Sequence, residues 1–132
     1  IEPRLGYWTL PAGFMENGET LLAGALRESW EEARARLSGE ALYRLFDLPH
    51  VEQVYVFFRG HLIGGRHAPG PESSETALFS EEEIPWNELA FPVMFDVLKG
   101  FFEDRRRGAF PVTVGGLGIS PADFWQRTRR AE

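Results

Sequence analysis

The 132-residue sequence predicts an α/β fold with a mixed β-sheet. Three observations carry that expectation. An apolar run over residues 7–10 passes through a Gly-containing loop into an acidic, amphipathic helix. Two strand-like runs meet at Pro49–His50. A second helical periodicity occupies residues 92–107.

Taken in order, "YWTLPAGF" predicts a short strand, Tyr7 to Leu10, stopped by Pro11. The turn signal Asn17-Gly18-Glu19 follows, and Thr20 is the expected N-cap of a helix over 21–35. Leu22, Leu26, Ser29 and Ala33 form its inner stripe, flanked by Ala25 and Trp30. "ALYRLFDL" and "VEQVYVFFRGHLI" predict two strands, antiparallel because their connection is short. "GGRHAPGPESSE" is a long loop of the kind that often carries function. "TALFS" predicts another short strand, and "SEEEIPW" a turn into irregular structure. In the second helix Val93, Met94, Val97, Leu98, Phe101 and Phe102 recur at core spacing, with Gly108 as the stop. "FPVTV" predicts a last strand, and "SPADFWQRTRR" a short helix capped by Ser120 with Pro121 at its first position.

A content of 43% hydrophobic and 14% aromatic residues predicts one globular domain over residues 1–132. A net charge of −6 argues against a nucleic-acid partner, whose binding surface would be basic. Arg105–Arg107 and the arginines at 127–130 are instead expected at helix C-termini, where the macrodipole favours positive charge. Without cysteine there is neither a disulfide nor a thiolate metal site, which suits a reducing, cytoplasmic setting. No apolar run is long enough to span a membrane. The chain opens on Ile1, so residues are expected upstream.

The densest charge is "RESWEEARAR", residues 27–36. Such runs are usually solvated helix faces held by pairs three or four apart. Here, however, Glu28, Glu31 and Glu32 share one flank, and like charges that close repel. Arginine relieves part of that repulsion; a hard divalent cation relieves more, since carboxylate oxygens are what it takes.

The surrounding spacing favours the cation. Gly13, Glu19, Arg27-Glu28 and Glu31-Glu32 stand at the offsets G-x5-E-x7-R-E-x2-E-E, which resemble the Nudix box, the signature of enzymes that hydrolyse nucleoside diphosphates linked to another moiety. The chain departs from the family pattern at Ser29 and Ala35, where aliphatic residues are usual, and at Arg34, where a glycine is usual. The last departure bears on how the helix ends. The segments "EPRLGYWTLPAGFMENGET" and "GPESSETALFSEEEIPW", with "AF" at 90–91, are similar to the branch containing FAD pyrophosphatases and ADP-ribose or NADH hydrolases. That branch carries further strands ahead of "EPR", so the chain is expected to be N-terminally incomplete.

The resemblance implies an α/β/α sandwich built around the box's loop, helix and loop, and a hydrolase that cuts an ADP-linked nucleotide to AMP plus a second phosphate product by a metal-activated water. It implies Mg²⁺ or Mn²⁺, with Glu28 and Glu32 as direct ligands, Glu31 on a second ion or acting through water, and the Ala12 carbonyl turned to the metal by Gly13. Arg27 would orient the glutamates, with Glu19 pairing to it or to the helix start. A further carboxylate outside the box is expected from Glu72, with Glu75 as its rival, while Glu81, Glu82 and Glu83 form a solvated turn. Trp8, Phe14 and Tyr55 are candidates for stacking a base or flavin, although sheet aromatics are more often core. His50 and Gln53 could bond a nucleobase or ribose, and Arg4 a phosphate. Many members dimerise, so a homodimer is expected. The rival function is a Nudix-fold sensor that binds a nucleotide without cleaving it; a third reading is an unrelated interaction domain with an accidental box.

Overall fold

A computed structural model of the chain describes residues 6–116 together with Ala122, Trp125 and Gln126, and the backbone but not the side chain of His50. Helix α1 spans Leu21–Ala33. The Thr20 hydroxyl accepts the Ala23 N–H and so satisfies one of the orphan donors of the first turn. The helix ends short of residue 35 because Arg34 adopts the left-handed conformation, φ 47° and ψ 36°, and returns its N–H to the Ser29 and Trp30 carbonyls. A side chain in that conformation costs about 1 kcal/mol that a glycine would not. The guanidinium carbons of Arg34 and Arg36 each lie 5.1 Å from the Trp30 ring centre, which offsets part of the cost.

Strands β1 (Leu37–Leu48) and β2 (Gln53–Leu62) pair antiparallel across a one-turn 3-10 helix at Pro49–Val51, with Phe46 opposite Tyr55 and Leu45 opposite Val56. Strand β1 begins at Leu37 instead of the expected Ala41, and its extra residues join the ladder through register shifts near Gly39, whose φ is 63°. Helix α2 (Pro92–Arg107) has Pro92 in its first turn, Arg105–Arg107 in its last, and Gly108 as a left-handed cap. Strand β3 (Thr113–Gly116) pairs parallel to β1, giving the order β2-β1-β3 and the mixed sheet of an α/β fold. It starts later than "FPVTV" suggested. Gly115 lies against the Phe46 ring, where an added Cβ would sit 3.1 Å from Cε1, and so lets β3 approach closely.

Two predicted strands do not form. At Tyr7–Leu10 the pairing is an isolated bridge at Trp8, which donates its N–H to Glu88 and accepts from Ala90, both at 2.7 Å. Its partner lies between a 3-10 turn, Trp86–Glu88, and the start of α2, too short a stretch to extend a ladder. "TALFS" finds no ladder partner among the described residues: Thr76 bonds His67, Phe79 packs edge-on against Trp8 at 5.1 Å, and Ser80 caps the 3-10 turn Glu81–Glu83. The helix expected over 120–130 and its arginines lie largely outside the described residues. No helix among the described residues is long and apolar enough to cross a membrane.

The core joins Tyr43 and Phe46 of β1 to Val93, Met94 and Val97 of α2. Beside it sits one polar anchor: the Tyr43 hydroxyl donates to Asp104, whose Oδ2 also lies 3.3 Å from Arg44 Nη2. Gly100 makes room for that arginine, since an added Cβ would sit 2.4 Å from Arg44 Nη1. The Tyr43 hydroxyl and Arg44 hold the Asp104 carboxyl below its usual range, while burial pushes the Tyr43 phenol up to about 12.

Two stability predictions follow from these positions. Asp104→Asn weakens the acceptor shared by Tyr43 and Arg44 and costs about 2–3 kcal/mol, read as a drop of roughly 5–10 °C in melting temperature at neutral pH. Because the Asp104 pKa is depressed, this contribution is complete above its ordinary value of 3.8 and fades as pH falls through the depressed one. The gap between wild type and variant therefore narrows in acid. Arg34→Gly relieves the left-handed strain and raises stability by about 0.5–1 kcal/mol by chemical denaturation.

Candidate active site

The loop at residues 11–19 folds back on α1 around one side chain. Arg27 Nε and Nη2 grip both oxygens of Glu19, at 2.6 and 3.0 Å, while Nη1 donates to Glu28 Oε1 at 2.8 Å and Glu31 Oε2 at 3.0 Å. Nη2 also donates to the Phe14 carbonyl at 3.0 Å. Only a planar fork with five donors serves so many acceptors at once. The Glu19 carboxyl, held by Arg27 and the Glu16 N–H, stays below its usual pKa, and the Arg27 pKa is raised in return. Gly24, which the sequence did not single out, leaves space for this pair: an added Cβ would sit 3.1 Å from Glu19 Oε1.

Glu32 points to the same loop and accepts the Ala12 N–H at 2.8 Å. Burial, with smaller contributions from Glu28 and Glu31, pushes its carboxyl up to about 7, against the pull of that N–H. Gly13 is not among the glycines with positive φ, and its missing side chain leaves space: a Cβ there would lie 2.3 Å from Glu28 Oε1. Glycine thus lets the Glu28 carboxylate rest against the loop main chain beside Glu32.

Whether these groups suit a divalent cation is a matter of donor chemistry and convergence. Among the described residues no three of His, Cys, Asp or Glu already form a metal cage. Glu28 and Glu32 are the pair brought together, and Glu31, its side chain half-exposed, is turned onto Arg27. The pair fits a hard cation, because a bound positive charge offsets the repulsion and partial burial that raise the Glu32 pKa.

The remaining candidates are dispersed. Phe14, Gln53 and Tyr55 line one cavity of about 590 Å³ beside β2, which reaches the box loop at Ala12 and Gly13. Phe14 is 66% exposed, whereas Tyr55 packs against the core with its phenol pKa raised by burial. The Gln53 Oε1 is buried with no hydrogen-bond partner among the described residues. Trp8 is committed to its bridge and to Phe79. Arg4 and the His50 side chain lie outside the described residues. Glu72 and Glu75 are both exposed on the long loop. Glu83 caps its own turn through Ser80, and Glu81 pairs with Arg106 at 2.7 Å, so that run is structural.

If Arg27 is the common anchor of loop and helix, Arg27→Lys lowers the melting temperature, and Glu19→Gln added to it lowers it by less than Glu19→Gln does alone. Fully additive losses would mean that the two act separately.

The NUDIX domain profile matches residues 2–101. The crystal structure of a NUDIX hydrolase from Nitrosomonas europaea superposes with a TM-score of 0.80 at 51% identity, over 88% of this chain and 67% of that one. With a domain match across most of the sequence and a half-identical neighbour of the same fold, this chain belongs to the NUDIX family.

Proposed function

We propose that the protein is a divalent-cation-dependent hydrolase that cleaves the pyrophosphate of an ADP-linked nucleotide, with FAD or ADP-ribose ahead of NADH, releasing AMP and a second phosphate product. The observation that carries this reading is the pairing of Glu28 with a half-buried, N–H-tethered Glu32 at the mouth of the box loop. Family membership supplies the reaction class, and the similar protein from Nitrosomonas europaea is itself called a NUDIX hydrolase.

In this reading Glu28 and Glu32 hold Mg²⁺ or Mn²⁺, which when bound neutralises phosphate charge and makes water a nucleophile near neutral pH. Glu31 is in reach of the same flank once it leaves Arg27, and Arg27 keeps its grip on Glu19 throughout. Glu72 is the carboxylate from outside the box, preferred to Glu75 because its turn is tied to the helix carrying Glu32. Phe14 offers an exposed ring to a base, and Gln53 Oε1, without a partner among the described residues, an acceptor for an amino group. A homodimer and a cytoplasmic location belong to the same reading and rest on the family resemblance and the cysteine-free composition.

The test is AMP release from FAD, ADP-ribose and NADH with Mg²⁺ or Mn²⁺. One substrate should be turned over, and Glu32→Gln should lower kcat by roughly a thousandfold. Metal-dependent binding of a nucleotide with no turnover of any would favour the sensor reading instead.

A further inference from the structure

The long loop after β2 is fastened to the last turn of α1. Ala68 N–H donates to the Ala33 carbonyl at 2.9 Å, and Gly70 N–H to the Glu32 carbonyl at 3.2 Å. Ser73 Oγ donates to that same Glu32 carbonyl at 2.7 Å. These carbonyls are among the four that a helix end leaves unpaired, so the loop serves as their cap. Between the two attachment points lies a tight turn, closed by Ser73 N–H to the Gly70 carbonyl at 3.1 Å, with Pro71 and Glu72 at its centre.

Both ends of the Glu72 turn therefore hang from one main-chain oxygen, and that oxygen belongs to Glu32. Contact at this point needs a glycine: Gly70 is buried, and a Cβ on it would sit 1.6 Å from the Glu31 carbonyl oxygen and 2.8 Å from its carbon. Main chain cannot yield as a flexible side chain can. The loop is otherwise rich in residues that favour turns, and Glu72 itself is exposed, so among the described residues these bonds are what hold its turn against the box helix.

We infer that Gly70 and Ser73 are positioning residues that fix the Glu72 carboxylate relative to Glu28 and Glu32 through the Glu32 carbonyl. This rests on the proposed function in one respect, that these carboxylates bind a divalent cation together. Neither residue touches cation or substrate; each acts through Glu72.

The experiment is a double-mutant cycle on Mn²⁺ affinity, measured by the electron paramagnetic resonance of free Mn²⁺ with the full chain and no nucleotide. Ser73→Ala should weaken Mn²⁺ binding about tenfold, the usual size for losing a group that orients a ligand, and Ser73→Thr should restore it. In a Glu72→Gln background the same Ser73→Ala change should alter affinity by less than about twofold. Gly70→Ala, which removes no polar group, should weaken binding as Ser73→Ala does, and likewise only when Glu72 is present. An unchanged affinity in Ser73→Ala, or equal losses with and without Glu72, would overturn the inference while leaving the proposed function intact. Failure of the wild type to bind Mn²⁺ would overturn both.

Discussion

The guanidinium of Arg27 joins segments that would otherwise repel or drift apart. It is bonded to Glu19 at the end of the loop, to Glu28 and Glu31 on its own helix, and to the Phe14 carbonyl in the loop's middle. With Glu16, whose Oε1 lies 3.6 Å from Nη1, four carboxylates and one carbonyl crowd a small volume, and a single cation with a forked head holds them there. Because Glu19 takes two of its donors, the loop is anchored independently of what Glu28 and Glu31 do. Those two can then change partners without the loop coming away.

The glycines complete the arrangement by leaving space. At 13 the absent side chain admits the Glu28 carboxylate, at 24 it admits Glu19, and at 70 it admits the main chain of α1 itself. The end of α1 shows the opposite choice, since Arg34 occupies a left-handed position that suits glycine and contributes a stacking contact on Trp30. The helix nevertheless ends there, and the Pro/Gly loop closes over the carbonyls that remain. Away from the box, Tyr43, Arg44 and Asp104 tie β1 to α2 with a polar contact beside an otherwise apolar core.

The parts of the fold legible in the sequence are those decided locally. Helix α2 follows from its apolar period and its Gly108 stop, and α1 from Thr20 and the box spacing, which places Glu28 and Glu32 one turn apart whatever surrounds them. The β1–β2 hairpin was legible because a short connection leaves little choice of pairing. Tyr7–Leu10 and "TALFS" have strand-like composition, but a strand exists only where a partner edge runs alongside, and composition does not carry that information. The same limit hid the role of Gly70 and Ser73, whose partners lie some forty residues earlier, and the Tyr43–Asp104 bond, which spans 61 positions. The motif marked Gly13, but only the position of Glu28 shows the space that its missing side chain provides.

In the proposed reading, the loop, Arg27 and α1 pre-arrange two carboxylates for a divalent cation. A crystal structure of the full chain grown with Mn²⁺, with the ion located by its anomalous scattering, tests that claim directly. The account predicts an ion held by oxygens of Glu28 and Glu32, with Arg27 still bonded to Glu19 and the Glu72 turn still hung from the Glu32 carbonyl. An ion bound elsewhere, or a box whose carboxylates stay on Arg27 with no ion at millimolar Mn²⁺, would contradict it.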